Sequence, residues 1–156
     1  MLQSIHIENY ALIQLTDIEL SHGFVAITGE TGAGKSIILG ALGLLTGQRA
    51  DLAVLGDNTK KCVVEAKFDI SDLGLEALFD ELDLDYEPVV TLRREILPTG
   101  KSRAFVGDVP AQLPTMKALG EKLVDIHSQH QSLELTDRRF QLAAIDFFAG
   151  NADLLA

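Results

Sequence analysis

The chain of 156 residues has one cysteine and no tryptophan, and it lacks an apolar run long enough to cross a membrane. The single cysteine, Cys62, excludes a disulfide within the chain and a cysteine-based metal site, which fits a reducing compartment. Glu8 and Asn9 interrupt the apolar pattern near the N-terminus, so we expect no secretory signal peptide. These absences predict a cytoplasmic protein with no membrane partner.

Basic residues are too few to balance the acidic ones, and the formal net charge is −10 at pH 7. That charge argues against a general nucleic-acid-coating surface. The excess is local, because the segment from Ser71 to Glu87 holds seven acidic residues and no lysine or arginine. Leucines and a phenylalanine alternate with these acidic residues, and the pattern predicts a solvated surface helix with one buried face.

What the sequence does contain is a phosphate-binding loop. Residues 29–36 fit the pattern G-x-x-x-x-G-K-[ST] and read Gly29, Glu30, Thr31, Gly32, Ala33, Gly34, Lys35 and Ser36. The glycines let backbone N–H groups approach an anion closely at the N-terminus of a helix. Lys35 is expected to reach the β- and γ-phosphates of a nucleotide, and the Ser36 hydroxyl is expected to ligate Mg²⁺.

The flanking segments agree with a phosphate-binding loop. Phe24–Thr28 is a short apolar run that predicts a buried strand, and Ile37–Leu45 predicts a buried helix that ends near Gly47. Strand, loop and helix form the order that the motif requires. The alternative is a glycine-rich turn that binds nothing.

Alternating apolar residues predict further strands downstream and upstream of this unit. Strands are predicted at residues 4–8, 13–20, 62–70, 88–96, 102–106 and 122–126, and helices at 113–120 and from Thr136 or Asp137 to Phe148. We expect the first two strands to pair in antiparallel fashion, and 102–106 to return as the hairpin partner of 88–96. So many strands after the phosphate-binding helix depart from the β–α alternation of a simple nucleotide kinase.

Six segments spread over nearly the whole chain point to one family, and they are Ile5–Ile13, Thr28–Ser36, Ala41–Ala50, Leu92–Ile96, Gly100–Val106 and Leu123–His130. Taken in order, they resemble the RecN family of SMC-like ATPases. The phosphate-binding loop alone indicates only an NTPase, and the later segments are the specific ones. The resemblance implies an α/β P-loop NTPase fold of the ABC/SMC-head type, in which the N-terminal lobe has a mixed sheet plus an antiparallel β-subdomain at about residues 60–110.

The resemblance also implies a function. RecN-like proteins are ATPases in DNA double-strand break repair and recombination, and each head forms from two separated halves of the chain joined by a long coiled coil. ATP and Mg²⁺ are held between two heads. Residues 1–156 would form the N-terminal half of a head, with the C-terminal half and the coiled coil absent. The expected partners are that C-terminal half, a second head in a homodimer, and DNA, on which the protein would be nucleoid-associated.

Two departures from the family pattern bear on activity. Ser128 stands where the family usually has glycine, although Gln129 remains in place. The sequence also lacks a Ser-Gly-Gly signature loop and a convincing apolar strand that ends in Asp-Glu. Both of these elements lie in the family's C-terminal half, so we expect this fragment to be inactive by itself.

Further candidate residues lie outside the loop. The resemblance places Gln129 in a Q-loop region at about 127–132, where its amide would ligate Mg²⁺ or orient the attacking water, and it places Arg49 near the nucleotide phosphates. The alternatives are a polar loop residue and a surface arginine that favours a helix C-terminus. His127 and His130 lie near Asp125 but lack a third firm ligand, so local hydrogen bonding is favoured over a metal site.

Basic residues also gather on the predicted hairpin. Arg93, Arg94, Lys101 and Arg103, together with Glu95, give it a local charge of +3 that could contact DNA phosphates. Arg93 and Arg94 are expected on opposite faces of their strand, so at most one joins a given patch. A solvated hairpin is the favoured interpretation.

Two other functional hypotheses stay open. A self-contained small P-loop NTPase or kinase would use Asp125 as its Mg²⁺-side carboxylate, although only Leu123 and Val124 precede it as apolar residues. A GTPase is less favoured because no Asn-Lys-x-Asp motif for guanine occurs. The other hypothesis is a non-catalytic module whose loop serves only as a nucleotide-dependent switch.

Overall fold

The computed structural model describes residues 1–28, 34–126, 141–142 and 145, and for Lys35 it describes the backbone alone. The chain divides into two compact units, Met1–Asp125 and Ile126–Ala156. In the second unit, the described residues Gln141, Leu142 and Ile145 are helical. The remainder of the predicted last helix, together with Gln129, His127 and His130, lies outside the described residues.

The first unit is built on one six-stranded sheet, and every neighbouring pair of its strands is antiparallel. The spatial order is β2-β1-β3-β4-β5-β6. The strands are β1 Leu2–Tyr10, β2 Ile13–Glu19, β3 Cys62–Asp69, β4 Val89–Ile96, β5 Ser102–Val106 and β6 Val109–Ala111. The first five strands confirm the sequence prediction, whereas β6 has only three residues, among them Pro110, and was not predicted.

The register of these strands separates an apolar face of the sheet from a polar face. Ile7 lies opposite Val64, and Leu92 lies opposite Ala66, and all four side chains are buried. Because paired residues share a face, the alternating apolar positions of successive strands form one continuous surface. Helix α1, Gly34–Leu45, packs on the strands β1, β3 and β4.

The C-terminal end of α1 is fixed by close packing. Gly47 has φ +86°, a left-handed conformation that ends the helix and that glycine adopts without strain. Helix α3, Leu113–Leu123, lies so close that a Cβ at Gly120 would sit 2.8 Å from the Leu45 carbonyl oxygen. The prediction of a helix that ends near Gly47 is confirmed, and its burial is confirmed for Ala41–Leu45 but not for Leu39, which is exposed.

The helix predicted at 113–120 is confirmed by α3, but two predicted strands need correction. Residues 24–28 form no strand, and Phe24 is 95% exposed. The predicted strand at 122–126 is also wrong, because α3 continues to Leu123 and residues 124–126 belong to no helix or strand. The acidic segment does hold a helix, α2 Glu76–Glu81, which buries Phe79 but is only six residues long. No helix in the described part of the chain is long and apolar enough to span a membrane.

Candidate nucleotide-binding site

None of the described residues covers the N-terminal end of α1, as an anion site requires. The helix begins at Gly34, where an added Cβ would meet no described atom within 4 Å, and Ser36 in the first turn is exposed. The first turn holds no acidic residue that would repel an anion. The unpaired N–H groups and the positive end of the helix dipole favour a phosphate at such an end.

The structure describes only part of the predicted site. Gly29, Glu30, Thr31, Gly32 and Ala33 lie outside the described residues, as does the side chain of Lys35. Their contacts with nucleotide therefore stay predictions, like that of Gln129. What the structure contributes is the placement of Gly34 and Ser36 at the first turn of a helix anchored on the sheet.

Arg49 follows the opposite end of the same helix. It is exposed and lies beyond Gly47, at the far end of a helix that is about 17 Å long. Its role at the nucleotide stays a prediction. Asp125 is also exposed, and it does not follow a strand, so the structural context expected for a magnesium-binding carboxylate of a kinase is missing.

Sequence reasoning missed the residues that connect α1 to the sheet through a loop. Asn9 is buried with φ 52°, accepts a hydrogen bond from the Asp57 N–H at 2.7 Å, and donates Nδ2–H to the carbonyls of Asp57 and Lys60 at 3.0 and 3.1 Å. The next residue, Tyr10, packs its hydroxyl so close to Gly40 that an added Cβ there would lie 2.6 Å away. The sequence feature that could have indicated this role is a polar residue, Asn9, that interrupts the apolar alternation near the end of a strand.

The basic hairpin does not form one positive patch. Arg93 lies on the polar face, where its guanidinium carbon is 4.4 Å from the centroid of the Phe105 ring. Arg94 lies on the apolar face and is buried, so the expectation that this hairpin is solvated is wrong at that position. Glu95 forms an ion pair with Lys61 at 3.0 Å. Opposite orientations of Arg93 and Arg94 were predicted and are confirmed.

Metal ligation by protein side chains is not evident in the described part of the chain. There, no three or more His, Cys, Asp or Glu side chains form a group that could hold a metal ion. A nucleotide-bound Mg²⁺ needs fewer protein ligands, because it keeps several waters and binds to phosphate oxygens. The exposed Ser36 hydroxyl fits that requirement.

Comparisons with known proteins agree with a nucleotide-binding head. A family model described as AAA domain matches residues 4–87. DNA repair protein RecN from Vibrio cholerae is 40% identical over an alignment that covers 99% of this chain and 28% of the relative. RecN from Xylella fastidiosa is 36% identical, with 97% of this chain and 27% of the relative covered. The chain therefore spans little more than a quarter of the length of these curated relatives.

A solved structure supports the same fold. This structure comes from work on ATP-driven dimerisation and DNA-stimulated activation of SMC ATPases. It aligns with the present chain with a TM-score of 0.66. The alignment covers 93% of this chain and 97% of that chain at 19% sequence identity. At that identity the likeness shows the fold, which is an α/β P-loop lobe of the ABC/SMC-head type, as the sequence predicted.

Proposed function

This chain belongs to the AAA domain family, and on that premise we propose that it is the ATP-binding half of a RecN-like ATPase acting in DNA double-strand break repair and recombination. Residues 1–156 would be the N-terminal lobe of a head. The phosphate-binding loop would occupy 29–36, the β-hairpin subdomain about 60–110 and the Q-loop region about 127–132. The protein would be cytoplasmic, and nucleoid-associated when it acts on DNA.

The observation that carries this proposal is the first turn of α1, which contains the last three residues of the phosphate-binding sequence and which no described residue covers. The N–H groups of residues 29–34 would bind the phosphates of ATP, and Lys35 would neutralise their charge. Ser36 would hold Mg²⁺ together with Gln129. Bound Mg²⁺ supplies charge neutralisation on the phosphate oxygens. Arg49 would add a fixed positive charge near the same phosphates.

A second observation suggests that the lobe is completed by another part of the protein. Phe24, Val25 and Ile27 precede the loop, and their side chains are exposed although a strand was expected there. Leu39, on the first half of α1, is 45% exposed. Exposed apolar side chains in such number near one site are typical of a surface that binds another polypeptide. We infer that the C-terminal half of the head covers it and pairs with residues 24–28.

The mechanism that follows uses ATP to join two heads. Two lobes with bound ATP would close on each other in a homodimer, and hydrolysis would release them, because each nucleotide state favours one arrangement. The general base and the signature loop would come from the C-terminal halves. DNA would be contacted mainly by the assembled dimer.

The test is steady-state ATP turnover by this chain, measured alone and after addition of the C-terminal half. We expect no turnover by the chain alone and restored turnover in the mixture, lost again in Lys35→Ala. The matched control is Lys101→Ala, which removes one exposed lysine from the hairpin and should leave turnover unchanged. Turnover by the chain alone that Lys35→Ala abolishes would instead establish a self-contained enzyme.

A further inference from the structure

Arg94 is a buried cation on the apolar face of the sheet. The residue is 3% exposed and lies opposite Val64 on β3 and Ala104 on β5. Its Nη2 donates a hydrogen bond to the Ser102 Oγ at 2.9 Å, while its Nε is buried without a partner among the described residues. A guanidinium stays charged at neutral pH, so this position carries a positive charge whose burial is unfavourable unless an anion compensates it.

Arg94 lines a cleft, and the other described residues of its wall carry no negative charge. The cleft has a volume of about 670 Å³ and is bordered by Arg94, Ser102, Arg103, Gln112, Leu113 and Pro114, among others. None of the described residues that line it is Asp or Glu, although the chain as a whole has a net charge of −10. The local charge is therefore opposite in sign to that of the protein.

The N-terminal end of α3 adds to this positive character. Gln112 occupies the N-cap without a side-chain hydrogen bond to the helix, and the first turn contains no acidic residue. The first turn of this 11-residue helix borders the cleft through Leu113 and Pro114. Its dipole and the N–H groups of Leu113 and Thr115 favour an anion beside the charge that Arg94 already places there, whereas Pro114 has no N–H to offer.

We propose that Arg94, Ser102 and the first turn of α3 form a binding site for a small oxyanion, separate from the phosphate-binding loop on α1. The ligand is a phosphate or a carboxylate group, because a guanidinium fork, a hydroxyl and backbone N–H groups recognise both. The two sources are a phosphate-bearing small molecule and an acidic side chain of another polypeptide. Binding would supply the counter-charge that the described residues do not provide.

The first test is thermal unfolding of the Lys35→Ala variant in phosphate, acetate or chloride at equal ionic strength. This background weakens anion binding at the phosphate-binding loop, and a comparison with Arg94→Met in the same background separates the two sites. Phosphate at ten times its Kd should raise Tm by about 3 °C over chloride. A shift with phosphate alone assigns a phosphate ligand, and a shift with acetate as well assigns a carboxylate. Equal Tm values in all three salts would overturn the proposal.

Variants then locate the site. Arg94→Met should abolish the phosphate-dependent shift and should not lower Tm in chloride, because replacing an uncompensated buried charge by an apolar side chain is often neutral or stabilising. The control Lys101→Met removes the same charge from an exposed position on the same hairpin and should keep the full shift. A shift that survives in Arg94→Met contradicts the assignment.

If Arg94→Met fails to fold, a phosphate titration of the Lys35→Ala protein, followed by NMR, tests the location of the site without that variant. With ¹⁵N-labelled Lys35→Ala, inorganic phosphate should move the amide resonances of Ser102, Leu113 and Thr115, and the shifts should saturate. Resonances of the exposed turn Thr99–Gly100 serve as the reference for non-specific effects. Uniform small shifts without saturation would contradict a built site.

Discussion

The two ends of helix α1 differ in how deeply the described residues bury them. The anchored end, Ala41–Leu45, is buried against the sheet and α3, and Leu45 is 0% exposed. The open end, Gly34–Ser36, faces solvent and follows an apolar segment that no described strand pairs with. The difference teaches that folding of this lobe depends on one end of the helix, whereas the proposed nucleotide binding depends on the other.

The largest effect should come from shortening a side chain at the anchored end. Leu45→Ala should lower the free energy of unfolding by about 2–5 kcal/mol, because the buried side chain leaves a cavity between the sheet and α3. The matched control is Leu39→Ala on the same helix, whose side chain is 45% exposed and whose loss should cost about 1 kcal/mol or less. Urea denaturation of both variants measures the contrast. Equal losses would remove the distinction between the two ends.

The next largest loss of stability is expected when Asn9 is replaced. Asn9→Ala should lower the free energy of unfolding by about 2–3 kcal/mol, since it leaves the Asp57 N–H and the carbonyls of residues 57, 60 and 61 without their partner. Ala also fits the left-handed backbone at φ 52° poorly. The control is Asn58→Ala, an exposed change in the same loop, measured by the same denaturation. A loss below about 0.5 kcal/mol for Asn9→Ala would show that this contact does not hold the loop.

Ionisation of the buried Cys62 thiol should make the free energy of unfolding depend on pH. Burial, with a smaller contribution from the charge of Glu8, raises the pKa of the Cys62 thiol to about 11. A thiol whose pKa is raised on folding stabilises the protein fully below its unfolded pKa, and this stabilisation is lost as pH rises toward the folded value. The free energy of unfolding should therefore fall between about pH 9 and pH 11.

The variant Cys62→Ala is the comparison, because Tyr10 and Tyr86 also have raised pKa values and ionise at high pH in both proteins. The difference contains the ionisation of the thiol and the smaller effect of its charge on the pKa of Tyr10. Subtracting the two pH profiles should leave a decline that begins near pH 9. A parallel pair of profiles would mean that the thiol ionises as easily in the folded protein as in the unfolded chain. Slow reaction of the native protein with a thiol reagent at pH 8 provides a second check.

How much could be predicted from the sequence also differs between the two ends. The strands and the anchored end follow from alternating or helical apolar positions such as Ile5, Ile7 and Leu92, whose burial partners all lie within the chain. The segment Phe24–Thr28 has an equally apolar pattern, yet it forms no strand, because a strand also needs neighbours and a pattern cannot show whether the chain supplies them.

Polar residues in apolar surroundings explain the other failures. The alternation correctly placed Arg93 and Arg94 on opposite faces, but charge alone suggested solvent for both. Burial of Arg94 depends on β5 and α3, which are brought together only by the tertiary fold. The structural role of Asn9 likewise depends on a loop some fifty residues later in the chain. The motif at 29–36 could be recognised from sequence because its chemistry is local.

The smallest change in stability, and the sharpest test of the comparison, is expected at the open end. Phe24→Ser should alter the free energy of unfolding by about 0.5 kcal/mol or less, because the side chain is already 95% exposed. If residues 24–28 pair with the C-terminal half, the same change should weaken association of the two halves by tenfold or more, on the order of 1.4 kcal/mol. Isothermal titration of one half into the other measures it, with Leu12→Ser, a change at another exposed apolar residue, as the control. Unchanged affinity in Phe24→Ser would show that the C-terminal half does not bind to residues 24–28.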